Sequence, residues 1–335
     1  MKHRQTRQRL AKMRRSVFLG CGSYLPEKIV TNDDLANRLD TSDEWITQRT
    51  GIRQRHIAFE DENTSDLAIE AAKVALKRAS LDASEIDLVI VATATPDNTF
   101  PAVATRVQSK LGIKQGAAFD VQAACSGFIY ALNTTDNMLR LGQANKALLI
   151  GSECFSRIVD WNDRGTCVLF GDGAGAVVLG TEDGDGQNTD RGVLSTHIYA
   201  DGDYYEHLCT DGGPSTNGKA GVVKMEGREV FKHAAVRMAE AVETSLSRNG
   251  FLIGDVDWLV PHQANMRIMD SVAKKLSIEK SKIIVTVDQQ ANTSAATIPL
   301  ALADAESKGR FCSGDLISLT AMGGGFTWGS ALVRW

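Results

Sequence analysis

One pattern occurs twice in this chain, and it restricts the fold more than any other feature. Leu67 to Ala79 carries Leu67, Ala71, Val74, Ala75 and Ala79 at helical spacing, and after a loop comes Ile86-Asp-Leu-Val-Ile-Val-Ala92. Far downstream, Val230 to Ser247 is again helical in pattern, a loop ends near Asp255, and Val256-Asp-Trp-Leu-Val260 follows. Apolar residues every three or four positions mark one buried helix face, whereas a short unbroken apolar run suits a strand covered on both faces. The ends of the halves agree too. Phe170-Gly-Asp-Gly-Ala-Gly-Ala-Val-Val-Leu179 and Gly323-Gly-Gly-Phe-Thr-Trp-Gly-Ser-Ala-Leu-Val333 are each a glycine-rich turn leading into an apolar strand. Neither opens a helix, as a dinucleotide-binding glycine motif must. The expectation is an α/β protein of two similar halves, each a mixed sheet covered by helices. The boundary falls in the polar, glycine-rich stretch Thr181 to Gly192.

Charge and cysteine usage exclude several functions. A net charge of −4 leaves no basic excess to neutralise nucleic-acid phosphates. No apolar run is long enough to span a bilayer, so no membrane partner is expected. Residues 1–15 hold seven Lys and Arg and no acid. That start reads as an upstream extension, with Met13 an alternative first residue, or as a transit peptide. The six cysteines form no Cys-x-x-Cys pair and no metal-spaced cluster with histidine, which points to a reducing cytoplasm.

Three short segments carry the chemistry. Ala123-Ala-Cys125-Ser-Gly-Phe128 offers a thiol, Pro261-His262-Gln-Ala-Asn-Met-Arg267 an imidazole, and Ala291-Asn292-Thr-Ser-Ala-Ala296 a carboxamide. A thiol that can be acylated, beside neutral hydrogen-bond donors, suits reactions of thioesters. The same order occurs in papain-like proteases. Phe119 to Cys125 reads as a strand entering a turn, and Ser126 onward as a helix. Cys125 then lies at a helix N-terminus, where the dipole is expected to lower its pKa. Small neighbours on both sides let a substrate approach. His262 follows a buried strand, at the kind of strand end where ligand sites gather in open α/β sheets. Ordinary packing explains each residue alone: a buried cysteine, a satisfied histidine, and an asparagine capping a helix.

Together with Gly22-Ser-Tyr-Leu-Pro26, Thr41-Ser-Asp-Glu-Trp-Ile46, Arg49-Thr-Gly-Ile-Arg53, Asp163-Arg-Gly165 and the two glycine runs, these segments resemble the β-ketoacyl-acyl-carrier-protein synthase III family of the thiolase superfamily. The resemblance runs from about Ser16 to Trp335, and the papain-like reading fails for want of that family's flanking signatures. It implies the thiolase fold, with residues 16–185 and 186–335 as duplicated halves of a five-layered αβαβα core, preceded by the 1–15 extension. A homodimer is also implied. The implied activity is starter condensation: Cys125 takes an acyl group from an acyl-CoA, acetyl-CoA foremost. Malonyl-acyl carrier protein then loses CO2 and attacks that acyl group. Backbone N–H groups of Cys125 and Gly324 would form the oxyanion hole, and His262 and Asn292 would hold the enolate as neutral donors. Neither a metal nor a bound redox cofactor is implied.

The resemblance also assigns Trp45, Arg49 and Arg164 to CoA, and Phe100, reaching across the dimer, with Met322 to the acyl pocket. Lys232, Arg267, Lys274 and Lys275 are assigned to the acidic carrier protein. Met322 departs from the family, which usually carries phenylalanine there, so pocket shape is open. Three other readings stand beside this one: a starter synthase of secondary metabolism, a non-catalytic binder of acyl-CoA or carrier protein, and a thioesterase-like hydrolase.

Overall fold

The structure, a computed structural model, describes residues 13–335. Most of the expected basic extension lies outside the described residues. Its last three residues, Met13 to Arg15, belong to the first strand, where Arg15 is buried and reaches Asp190 at 3.5 Å.

The first half runs β1 (Met13–Tyr24), β2 (Ile29–Thr31), α1 (Asn32–Ala36), α2 (Asp43–Thr50), β3 (Gln54–His56), α3 (Thr64–Ala79), β4 (Leu88–Ala92), α4 (Val103–Leu111), β5 (Ala117–Val121), α5 (Gly127–Arg140), β6 (Ala147–Cys154) and β7 (Asp172–Gly184). The second runs β8 (Gly192–Ala200), β9 (Leu208–Thr210), β10 (Val223–Met225), α6 (Gly227–Arg248), β11 (Trp258–Pro261), α7 (Met266–Leu276), α8 (Val287–Gln290), α9 (Thr297–Ser307), β12 (Leu316–Gly323) and β13 (Thr327–Arg334). β7 continues through Thr181 to Gly184, part of the stretch expected to be a connector. The turn that follows is closed by Asp190, whose carboxylate accepts from the N–H groups of Asp185, Gly186 and Gln187.

The two large sheets share one plan. The first has the order β1-β7-β6-β4-β5, the second β11-β12-β13-β8. In each, parallel strands sit on one side and antiparallel ones on the other. The second sheet lacks a full counterpart of β5; only a bridge between Leu259 and Ile283 stands in its place.

Three apolar cores explain the layering. α3 and α4 pack on the outer face of the first sheet, through Leu67, Ala71, Ala75, Val103 and Val107 against Val89, Val91, Ile150 and Val178. α6 and α7 cover the outer face of the second, through Met238, Val242, Met269 and Val272 against Leu316 and Leu332. Between the sheets lie α5 and α9, where Phe128, Leu132, Ile298 and Leu302 meet Ile90, Leu149, Val177, Ile317 and Leu319. The result is helix, sheet, helix, sheet, helix. β4 is buried along its whole length, as its unbroken apolar run requires.

Candidate active site

The starts of the two central helices meet at the floor of one cavity. β5 ends at Val121, and a 3-10 turn over Ala124–Ser126 leads into α5. Ala124 stands at φ 45°, a left-handed conformation unusual for a residue with a Cβ. The matching turn before α9, Ser294–Ala296, has Ser294 at φ 51°, and Ala291 stands at φ 55°. Three left-handed non-glycine residues thus flank Cys125 and Asn292. Each costs about 1–3 kcal/mol, which the surrounding packing has to offset.

Cys125, His262 and Asn292 all line this cavity of about 1030 Å3. Cys125 sits in the first turn of its 3-10 segment, where an N–H has no acceptor within the helix. The glycine run comes very close to it: a Cβ on Gly323 would lie 2.6 Å from the Cys125 backbone N. Thr327 ties the two together, donating toward the Ala123 carbonyl at 3.1 Å and meeting the Ser126 hydroxyl at 2.6 Å. Gly324 lines the same cavity, and its N–H makes no turn or loop hydrogen bond among the described residues.

One expectation is reversed. The thiol of Cys125 is not acidified; burial pushes it up to about 12, and the nearby Glu153 carboxylate pushes the same way. Its place before α5 is as expected, but the residue is only 7% exposed, and loss of hydration outweighs a partial helix charge.

His262 follows β11, its N–H held by the Thr320 carbonyl at 2.8 Å. Its Nδ1 meets the Thr297 hydroxyl at 2.7 Å, which leaves Nε2 for the cavity. Burial alone pulls its pKa down to about 3, so the ring is neutral at physiological pH. Asn292 is fixed by its backbone, which bonds to Leu169 and Gly171. Its Oδ1 accepts from the Ser294 N–H at 2.9 Å, leaving Nδ2 to donate. The asparagine therefore closes an Asx turn leading into the 3-10 segment, whose N-cap is Thr293; the N-cap of α9 is Ala296.

Trp45, Arg49 and Arg164 come together. The Arg49 guanidinium lies 4.3 Å and that of Arg164 5.3 Å from the indole centroid. Trp45 and Arg49 line the cavity, whereas Arg164 stands beside it, bound to Asp40 at 2.9 Å. Met322 is a buried wall residue. Phe100 is not among the cavity's lining residues and is 81% exposed, which rules out a core role within this chain. Arg267 lines the mouth over the Phe231 ring. Lys274 and Lys275 are exposed in the last turn of α7, and Lys232 on α6 pairs with Glu229.

Several wall residues escaped the sequence reading. Arg228 stands exposed at the start of α6, and its one signal is its position after Gly227. Behind the wall, the buried Thr297 and Ser294 sit within a few residues of Asn292 and were legible only as small polar residues. Tyr205 to Thr216 contribute wall residues from a segment with no periodic pattern. Among the described residues no three His, Cys, Asp or Glu side chains converge as metal ligands would.

Residues 119–202 match the sequence family described as 3-oxoacyl-[acyl-carrier-protein] synthase III, and residues 246–335 match its C-terminal part. The chain belongs to this family. A β-ketoacyl-[acyl-carrier-protein] synthase III of Rhodospirillum centenum is 60% identical over 96% of this chain and 99% of its own length. One from Bradyrhizobium diazoefficiens is 61% identical with the same coverage. The crystal structure of 3-oxoacyl-[acyl-carrier-protein] synthase III from Aquifex aeolicus superposes with a TM-score of 0.89 at 47% identity, covering 96% of this chain and all of that one. The thiolase-like layering seen here is thus that of the synthase III family, whose members are acyltransferases. Among the described residues no helix is long and apolar enough to cross a membrane.

Proposed function

We propose that this synthase III family member starts fatty-acid synthesis by joining an acyl-CoA, acetyl-CoA foremost, to malonyl-acyl carrier protein, in the cytoplasm and as a homodimer. The observation that carries this reading is the meeting of Cys125, His262 and Asn292 in one cavity with arginines at its mouth. Identity near 60% to proteins named for this activity supports it over a secondary-metabolite synthase or an inert homologue.

In the first half-reaction the Cys125 sulfur attacks the thioester carbonyl, the bond from carbonyl carbon to CoA sulfur breaks, and the cysteine proton leaves with CoA. The N–H groups of Cys125 and Gly324 stabilise the oxyanion, each such donor being worth about 2.7–4 kcal/mol. In the second, malonyl-carrier protein loses CO2, and its enolate oxygen accepts from Asn292 Nδ2 and His262 Nε2. That role needs the hydrogen on Nε2, so Thr297 donates to Nδ1. The Ser294 carbonyl that Thr297 also faces keeps the N–H of Thr297 as its donor. A neutral imidazole fits, because decarboxylation moves the carboxylate's charge onto the enolate oxygen without removing a proton. The enolate carbon then attacks the acetyl carbonyl, the bond from that carbon to the Cys125 sulfur breaks, the sulfur takes up a proton from solvent, and acetoacetyl-carrier protein leaves.

Trp45, Arg49 and Arg164 hold the CoA nucleotide, its adenine stacking and its phosphates paired. Arg267, Lys274, Lys275 and Lys232 receive the acidic carrier protein. The exposed Phe100 closes the acyl pocket of a second copy, whose floor is Met322. The acyl-CoA and the carrier protein are substrates, and no bound cofactor is required. Intact-protein mass after acetyl-CoA tests the assignment. An acetyl adduct on wild type, absent from Cys125→Ser and discharged by malonyl-carrier protein with release of CO2, is the expected result. An adduct that malonyl-carrier protein does not discharge would overturn it.

A further inference from the structure

Behind the nucleophile lies a carboxyl group that the condensation does not use. Glu153, next to last in β6, is completely buried. Its Oε2 accepts from the hydroxyls of Thr93 at 3.1 Å and Thr95 at 2.6 Å, and the N–H of Ala94 is shared between both oxygens at 3.1 Å. Oε1 therefore has only half of one donor. Among the described residues no lysine, arginine or histidine forms an ion pair with this carboxyl. A lone carboxylate in such a place is costly, and burial holds its pKa up to about 7.

Ser294 connects it to the thiol. The turn that carries Ser294 packs against both neighbourhoods: a Cβ on Gly151, two residues before Glu153, would lie 2.4 Å from the Ala295 carbonyl oxygen, and one on Gly127, two residues after Cys125, 3.3 Å from the Ala295 Cβ. From there the serine hydroxyl lowers the pKa of both the thiol and the carboxyl. It is nevertheless buried with no partner at full hydrogen-bond distance. The backbone fixes it there, at φ 51° and with its N–H on Asn292. An unengaged donor between two acids can serve either one.

Other titratable groups nearby are few. Cys154 follows Glu153 on the same strand, with Asp172 and Arg157 beyond it. The loop carrying Thr93 to Thr95 and the start of α3 bring hydroxyls and, two residues further along the loop, Asp97, whose carboxylate accepts from the Ser65 N–H at 2.9 Å and pairs with Arg106 at 3.8 Å. On the opposite wall His262 responds to burial alone.

Resting on the assignment of Cys125 as nucleophile, we propose that Glu153 is a positioning residue that sets the readiness of that thiol through Ser294. As a neutral acid it leaves the serine hydrogen free for the Cys125 sulfur, which gains negative charge as it attacks. As a carboxylate it takes that hydrogen and repels the thiolate. In the acylation the Sγ–H bond and the thioester C–S bond break, a bond from Sγ to the acyl carbon forms, and CoA leaves as its thiol. Ser294 and Glu153 end the step with the protons they began with.

The consequence is a bend in the pH profile. A thiol titrating near 12 gains thiolate tenfold per pH unit through the neutral range, so its acylation rate should climb steadily. Ionisation of Glu153 works against that climb above neutrality. The test is single-turnover acetylation of Cys125 by acetyl-CoA, followed by intact mass from pH 5.5 to 9, for wild type and Glu153→Gln. Glutamine can present its carbonyl to the three donors and its amide to Ser294, and so imitates the neutral acid. The expected result is a wild-type profile that flattens near pH 7 and a variant that keeps climbing, reaching at least about tenfold above wild type at pH 9 while matching it at pH 5.5. Parallel profiles would overturn the proposal. If glutamine is not tolerated, Glu153→Asp should move the bend, and an unmoved bend would count equally against it. A wild type that forms no adduct on Cys125 would instead sink the assignment of the nucleophile.

Discussion

Gly323 shows how closely the catalytic turn is built. Its missing Cβ lets the end of β12 pack on the Cys125 backbone, where a methyl group would lie 2.6 Å from the nitrogen. Backbone on both sides leaves no side chain to yield. Gly323→Ala should therefore displace the turn, lower unfolding free energy by about 1–3 kcal/mol and slow acetylation of Cys125 by at least about tenfold. Denaturant melts and single-turnover mass spectrometry check both. Cys125, His262 and Asn292 were legible because each stands in a short polar segment at the end of an apolar one. The state of the thiol was not. A helix start is visible in sequence, whereas the burial that governs the pKa comes from β12, β13 and the turn before α9, all remote in the chain. For the same reason Glu153 went unnoticed: inside an apolar run it looks like an exposed strand position.

The elements that carry the site are held by ordinary capping. Asn265 starts α7, its side chain accepting from the Ile268 N–H at 3.0 Å, and that helix presents Arg267 at the cavity mouth. Asn265→Ala should cost about 1 kcal/mol of stability. Fraying of that turn should also weaken malonyl-carrier protein binding, seen as a higher KM for it, while the rate of acetylation by acetyl-CoA stays closer to wild type. Equal losses in both half-reactions would mean that the first turn of α7 serves the whole cavity. At this scale the helical periods and buried runs led to α3, β4, α6 and β11 within a few residues. The segment from Asp201 to Gly221 was opaque, since its shape depends on the cavity it borders and not on a period of its own.

For the whole molecule, two buried groups give stability an unusual dependence on pH. His262 is neutral in the fold with a pKa near 3, while the unfolded chain takes up its proton near 6.5, so stability falls as pH drops below about 6.5. Glu153 acts in the other direction. Its folded pKa of about 7 lies above the unfolded 4.5, so its contribution is full below 4.5 and is lost as pH rises to 7. Glu153→Gln should therefore melt progressively higher relative to wild type between pH 4.5 and 7, with a constant gap above that of at most about 3 kcal/mol. Thermal melts of both proteins across pH 4.5 to 9 would show a flat difference if the carboxyl is not held in its neutral form.

The two central helices begin in the same way: a left-handed residue, Ala124 or Ser294, opens a three-residue 3-10 turn. Superposing those turns in register sets Cys125 against Ala295, and a Cβ on Gly127 would lie 3.3 Å from that of Ala295. The same elbow is thus present twice. The first copy carries the Cys125 thiol; the second has Ala295 in that register and brings the Asn292 carboxamide and the Ser294 hydroxyl close to its twin. The two halves thus divide one cavity between them, the first supplying its thiol and the second much of what surrounds it.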